Sequence, residues 1–115
     1  MIPGKTKAAQ ALRKAAMRHA GAEESVACAG TKLECATIGV KKKVFLFLFE
    51  DGGALTARVK LRESAAEAKK LAKREPERYA IGANGWAKIA FGEADAPIAL
   101  LERWIDESHR AVAGA

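Results

Sequence analysis

Hydrophobic and polar residues alternate most regularly between Leu55 and Arg62. Successive side chains of a β-strand point to opposite faces of its sheet, so this period of two predicts a strand with one face in the core. The core positions are Leu55, Ala57, Val59 and Leu61, and the opposite face carries Thr56, Arg58, Lys60 and Arg62. We therefore expect Arg58, Lys60 and Arg62 to share one basic surface.

Two further strands are predicted before this one. Residues 33–40 alternate loosely, and Gly39 followed by Lys41-Lys42 indicates a turn. Residues 44–49 are apolar on both faces, which is typical of a central strand that is covered on one side and at least partly covered on the other. Asp51-Gly52-Gly53 then predicts a tight hairpin, because an Asp-Gly pair tolerates positive φ angles, and the next strand should return antiparallel.

A fourth strand is predicted at residues 86–91, at the edge of the sheet or beside a neighbour. Ile89 and Phe91 lie on one of its faces, and Trp86 and Lys88 lie on the other. The segment before it, through Tyr79, is predicted to be a loop.

Three helices complete the pattern. Residues 6–19 are Ala-rich with helical spacing, and Gly21 provides a C-terminal stop. Ser64-Ala65-Ala66-Glu67 matches a capping box, so we expect a second helix from there to Pro76. A third helix is predicted after a cap at Asp95 or Ala96, with Pro97 in its first turn. Its apolar seam contains Leu101, Ile105, Ser108 and Val112, widened by Leu100 and Trp104.

This order of elements predicts an α+β fold, a two-layer sandwich with the helices on one face of a twisted antiparallel sheet. The other face of the sheet is then left available. At 115 residues with 50% hydrophobic residues, the chain is expected to form one domain over residues 1–115.

The composition favours a cytoplasmic protein. The longest apolar run is far shorter than the roughly 20 residues that cross a bilayer as a helix, and no signal peptide is recognisable at the N-terminus. Cys28 and Cys35 lack the spacing of a zinc or redox pair, so we expect reduced, partly buried thiols, although a disulfide between them stays open. We expect no metal site, no cofactor and no membrane partner.

The sequence contains no recognisable catalytic motif. It lacks a nucleophile elbow, a phosphate loop, a dinucleotide fingerprint and the His-Glu-x-x-His metal motif. The acidic pairs Glu23-Glu24 and Asp106-Glu107 are predicted to be solvated. His19 is expected to complement a helix dipole and His109 to pack at a surface or boundary. We therefore predict that the chain is not an enzyme.

Basic residues are the remaining candidates for function. The net charge is +6, which favours polyanionic partners. The predicted nucleic-acid-binding residues are Lys41, Lys42, Lys43, Arg58, Lys60, Arg62, Trp86 and Lys88, and the second helix adds Lys69, Lys70, Lys73 and Arg74. If Trp86 and the off-core Phe residues share the open face of the sheet, aromatic rings would lie among cations, which suits stacking of single-stranded bases.

Four short motifs resemble the MmcQ/YjbR family of small bacterial proteins, from about Ala20 onward. They are Gly21-Ala22-Glu23-Glu24, then Ile38-Gly39-Val40 leading to Lys43-Val44-Phe45, then Gly85-Trp86-Ala87-Lys88-Ile89, and finally Glu107-Ser108-His109-Arg110. The resemblance implies a compact α+β fold, similar to frataxin-like and secretion-chaperone-like domains, and DNA binding. The chain departs from the family pattern at residues 27–31 and at His109, where Tyr is usual.

Two functions are open at this point. The first is a DNA-binding module that contacts phosphates with little base readout. The second is a protein-interaction or chaperone-like module that binds a peptide or a second copy through the sheet.

Overall fold

A computed structural model describes residues 7–27, 35–51, 54–82, 84–92 and 97–113. These residues form three helices and six strands. Their order is α1 (Lys7–Met17), β1 (Glu23–Ala27), β2 (Cys35–Val40), β3 (Lys43–Asp51), β4 (Ala54–Lys60), α2 (Ala65–Arg74), β5 (Tyr79–Ile81), β6 (Trp86–Gly92) and α3 (Ile98–Ala113).

All six strands belong to one antiparallel sheet with the order β1-β2-β3-β4-β6-β5. Helix α3 packs on β3 and β4, α1 packs beside α3, and α2 packs on β5. The helices share their buried residues with one face of the sheet in a single core. The prediction of an α+β two-layer sandwich is confirmed.

The core lies between the helix layer and the alternate positions of the central strands. In β4 the side chains of Leu55, Ala57 and Val59 are buried, as predicted, and Leu61 continues the series. Trp104 of α3 is fully buried and satisfies its indole N–H by donating to Glu67 Oε1 at 3.2 Å. Because aromatic residues bury large apolar areas, this tryptophan anchors α3 to the sheet.

A β-bulge at Phe45 divides the aromatic run of β3. Ile38 pairs with Leu46 and Gly39 pairs with Val44, so the ladder between β2 and β3 skips Phe45. Phe45 and Leu46 are consequently both buried. A Cβ atom on Gly39 would lie 2.6 Å from the carbonyl oxygen of Lys43, so only glycine allows this close approach of the two strands.

Ser108 of α3 completes the hydrogen bonding beside this bulge. Its hydroxyl donates to the carbonyl oxygen of Phe45 at 2.6 Å and accepts from the amide of Lys60 at 2.8 Å. The pairing between β3 and β4 begins only at Leu46 and Val59, one step further along. The fully buried Ser108 therefore bridges two backbone groups of neighbouring strands.

Two strands were not predicted. Residues 23–27 form β1, where only Glu23 and Glu24 had been noted as surface acids, and Tyr79–Ile81 forms β5 within the predicted loop. Because β5 pairs with β6, β6 is an interior strand of the sheet and not an edge strand. The Gly52-Gly53 turn, the cap at Asp95 or Ala96, Cys28 and the start of the first predicted strand lie outside the described residues, whereas Cys35 is buried.

The predicted capping box of α2 is wrong. Ser64 has no side-chain capping bond to the helix. Its hydroxyl instead donates to Glu107 Oε1 at 2.7 Å, and the Glu67 carboxylate accepts from Trp104. Ser64 and Glu67 therefore both bond to side chains of α3 instead of capping α2.

The predicted solvated state of Glu107 is also wrong. Its side chain is buried, and Oε2 accepts from the amides of Arg62 and Ser64 at 2.8 and 2.9 Å. Burial raises the pKa of this carboxyl, but the hydrogen bonds from Ser64 and Arg62 outweigh it and hold the pKa below its ordinary value. Glu107 therefore fixes the chain between β4 and α2 onto α3.

Candidate functional site on the open face of the sheet

The face of the sheet opposite the helices is the candidate site, and we call it the open face. No helix of the described residues packs on it. Cross-strand pairing aligns one row of its residues, which runs through Ser25, Thr37, Phe47, Arg58, Lys88 and Ala80. Residues paired across an antiparallel sheet share a face, so this row extends over all six strands.

Three cations lie together on the β4–β6 half of the open face. Arg58 pairs directly with Lys88, and both are exposed. Lys60 is two residues further along β4, about 7 Å away. The remaining open-face positions of β4 and β6, strands described without gaps, are Ala54, Thr56, Trp86, Ala90 and Gly92. This half of the open face thus presents positive charge with no carboxylate on either strand.

An aromatic pair lies among these cations. The ring centroids of Phe47 and Trp86 are 5.7 Å apart with an interplanar angle of 68°, an edge-to-face contact. Phe47 pairs with Arg58, and Trp86 pairs with Lys60. Because β4 runs between β3 and β6, the two rings meet across β4, and both rings are partly exposed.

The turn before β6 positions Trp86. Gly85 has a φ of 85°, and a Cβ there would lie 2.4 Å from the carbonyl oxygen of Leu61. The carbonyl of Gly85 accepts from the amide of Leu61 at 2.8 Å, while the amide of Gly82 donates to the carbonyl of Trp86 at 3.0 Å. The first bond holds the beginning of β6 against the end of β4, and the second closes the turn between β5 and β6.

The predicted lysines of the β2–β3 turn divide between the two sides of the sheet. Val40 pairs with Lys43, and the intervening Lys41 and Lys42 have φ angles of 52° and 67°. Lys42 lines a hollow of about 120 Å³ on the open face together with Glu23, Ser25, Thr37, Gly39 and Val44. Lys43 pairs with the buried Val40 and so occupies a helix-side position. Glu23 introduces a carboxylate at this end of the open face.

The prediction that Arg62 shares a surface with Arg58 and Lys60 is wrong. β4 ends at Lys60, and the guanidinium of Arg62 donates to the carbonyl oxygen of Ala111 at 3.1 Å. Arg62 thereby supplies a positive group to the C-terminal end of α3, where the helix dipole is negative.

The basic residues of α2 lie on the opposite side of the molecule from the open face. Lys69, Lys70, Lys73 and Arg74 are exposed, but α2 packs in the helix layer against β5. Lys69 also lines a hollow of about 380 Å³ between α2 and the turn before β6. The structure therefore separates the predicted basic set into an open-face group and a helix-layer group.

A cluster of titratable side chains joins the turn after α1 to α3. His19 and His109 stack with their ring centroids 3.9 Å apart, and both rings meet Phe45 edge-on. His19 Nε2 lies 2.9 Å from Asp106 Oδ1, so its partner is a carboxylate rather than the dipole of α1. Burial, followed by the neighbouring His19, lowers the pKa of His109. The boundary packing predicted for His109 is confirmed.

The described residues contain no group of three or more His, Cys, Asp or Glu placed to hold a metal ion. Within the same ranges, no helix is long and apolar enough to cross a membrane. The polar clusters of the helix layer hydrogen-bond backbone or neighbouring side chains, as Glu107 and Ser108 do.

Comparison with protein-family models, curated proteins and solved structures finds no match to this chain. The arrangement of Arg58, Lys60, Lys88, Phe47 and Trp86 on the open face is therefore the basis for assigning a function.

Proposed function

We propose that the chain is a non-enzymatic, cytoplasmic DNA-binding module whose open face contacts mainly phosphates. The observation that carries this proposal is the group of Arg58, Lys60 and Lys88 on adjacent strands, with no carboxylate on the open face of either strand. The predicted resemblance to the MmcQ/YjbR family points to the same function.

The charge distribution supports binding to a polyanion. Lysine and arginine that neutralise phosphates release condensed counterions, and this release supplies most of the affinity of sequence-independent binding. Arg58 and Lys88 are exposed and paired, so one phosphate can meet both side chains. A net charge of +6 adds a general attraction that speeds encounter with DNA.

Titration of labelled single-stranded and duplex DNA between about 50 and 200 mM salt tests the proposal. The wild type is compared with the triple variant R58A/K60A/K88A. We expect log K to fall linearly with the logarithm of the salt concentration, and the variant to bind more weakly. If each cation meets a separate phosphate, the variant should lose about 0.9 per residue from the slope on duplex DNA, and less if Arg58 and Lys88 share one phosphate.

The triple variant K69A/K70A/K73A is the matched control, because it removes the same charge from α2 in the helix layer. We expect it to lose less affinity than the open-face variant. Equal losses would show that net charge rather than the open face determines binding. If the wild type binds neither single-stranded nor duplex DNA at the lowest salt, the proposal is wrong.

A protein-interaction module is the second candidate, favoured by the edge strand β1. Among the described residues, β1 pairs with another strand on one side only, and Val26 on it is 39% exposed. Edge strands present unpaired backbone groups that can bind a peptide or a second copy. Self-association that is insensitive to salt, measured by sedimentation and abolished by S25P in β1, would favour this candidate over DNA binding.

A further inference from the structure

We infer that the open face binds single-stranded rather than duplex DNA, with the Phe47–Trp86 pair stacking against unpaired bases. This inference rests on the proposed function and specifies its ligand. It depends on a second observation, the position of two aromatic rings between the cations.

The rings form a platform above β4. Phe47 on β3 and Trp86 on β6 are separated by one strand, and their side chains still meet at 5.7 Å. The contact therefore crosses β4 on the open face, between the positions of Arg58 and Lys60. Because the rings are at a 68° angle, the contact uses the edge of one ring and the face of the other.

Cations flank this platform on both sides. Arg58 and Lys88 form the row that contains Phe47, and Lys60 pairs with Trp86. Adjacent strands are about 4.8 Å apart, and the two rows are about 7 Å apart, so each ring lies within a side-chain length of a cation. A nucleotide whose base contacts a ring thus has a cation within reach of its phosphate.

Base faces are accessible to such a platform only in an unpaired strand. In a duplex each base is stacked between its neighbours, and only edges and backbone are exposed. Proteins that bind single strands without sequence preference combine a positive surface with aromatic side chains, since every base has a π-face. The open face has both components on adjacent strands.

A purely structural role for the pair is the competing explanation. Diagonal aromatic contacts across an antiparallel sheet stabilise the sheet itself. The two explanations differ in their consequences, because a structural pair affects unfolding but does not distinguish single-stranded from duplex DNA.

The fluorescence of Trp86 provides a direct readout of stacking. The chain has two tryptophans, and Trp104 is 0% exposed and bonded to Glu67. We propose to titrate the full chain with an oligothymidylate of about 12 nucleotides, a length within the site sizes of small single-strand-binding domains. A duplex of the same length is titrated at the same salt. Expected results are quenching by the single strand and at least about tenfold tighter binding of it than of the duplex.

The variant W86L keeps an apolar side chain and removes the ring. Loss of one base stack should weaken single-strand binding about 5- to 150-fold and leave the salt slope unchanged, because the phosphate contacts remain. The variant K88A should also weaken binding, but it should reduce the salt slope because a phosphate contact is lost. Urea unfolding of both variants establishes that they are folded.

The possible outcomes distinguish failure of this inference from failure of the proposed function. Equal affinity of wild type for both forms of DNA, unchanged tryptophan emission at saturation, or a folded W86L that binds the single strand as tightly as wild type would overturn this inference. In these cases, weaker binding by R58A/K60A/K88A would still support the proposed function. If wild type binds neither form at low salt, both proposals are wrong.

Discussion

Removing the hydroxyl of Ser108 should destabilise the fold by about 3 kcal/mol. The substitution S108A leaves the carbonyl of Phe45 and the amide of Lys60 without their partner, and both groups lie against a fully buried side chain. An unsatisfied buried backbone group costs about 1–3 kcal/mol. Because alanine is smaller than serine by one oxygen atom only, the cavity created by the substitution adds little.

Urea unfolding followed by the emission of the buried Trp104 measures this loss. With a slope of about 2 kcal/mol per molar urea for a small protein, the midpoint should fall by about 1.5 M. Native-state hydrogen exchange adds a local measurement, because the amide of Lys60 should lose more protection than the amides of β4 that pair within the sheet.

The variant S25A is the matched control. Ser25 is an exposed serine of the edge strand β1, and its removal should change stability by less than about 0.5 kcal/mol. If S108A is also within that range of wild type, or if the Lys60 amide keeps its protection, the bridging role assigned to Ser108 is wrong.

Two further predictions concern His109 and the β2–β3 turn. The pKa of His109 is lowered in the fold by burial and by His19, so the unfolded chain binds the proton more readily and stability should fall as the pH drops below about 6.5. H109F should reduce this dependence between about pH 7.5 and pH 5.5, and an unchanged pH dependence of the urea midpoint would contradict it. The double variant K41N/K42G should raise stability by about 1 kcal/mol, because Asn-Gly suits two successive positive φ angles better than two lysines. An unchanged or lower urea midpoint of this variant would argue against the turn geometry described.

The elements predicted correctly from the sequence are those whose apolar residues recur at a regular spacing. β4 and α3 each bury one face in the core, so the spacing of their apolar residues identifies a strand and a helix. β1 was missed because an edge strand with the sequence Glu-Glu-Ser-Val-Ala lacks an apolar face, and β5 because three residues cannot show a period.

The errors at the candidate site have tertiary causes. Arg62 follows the alternation of β4, but the strand ends before it and its guanidinium meets α3. Ser64 and Glu67 have capping-box spacing, yet both bond to side chains of α3. Local sequence contains no information about these distant partners. Gly39 within a predicted strand was the available signal for the bulge that buries Phe45 and leaves Phe47 outward.

In a sandwich of only two layers, the tolerance of a strand residue to substitution depends on which face of the sheet it occupies. In β4, Leu55, Ala57 and Val59 contact the core, whereas Arg58 and Lys60 contribute little to it. Substitutions at the first set will be limited by packing, and substitutions at the second set can change the charge of the open face at small cost in stability. Changes at alternate residues of two adjacent strands can therefore alter the chemistry of the open face, in evolution or by design, while the scaffold stays the same.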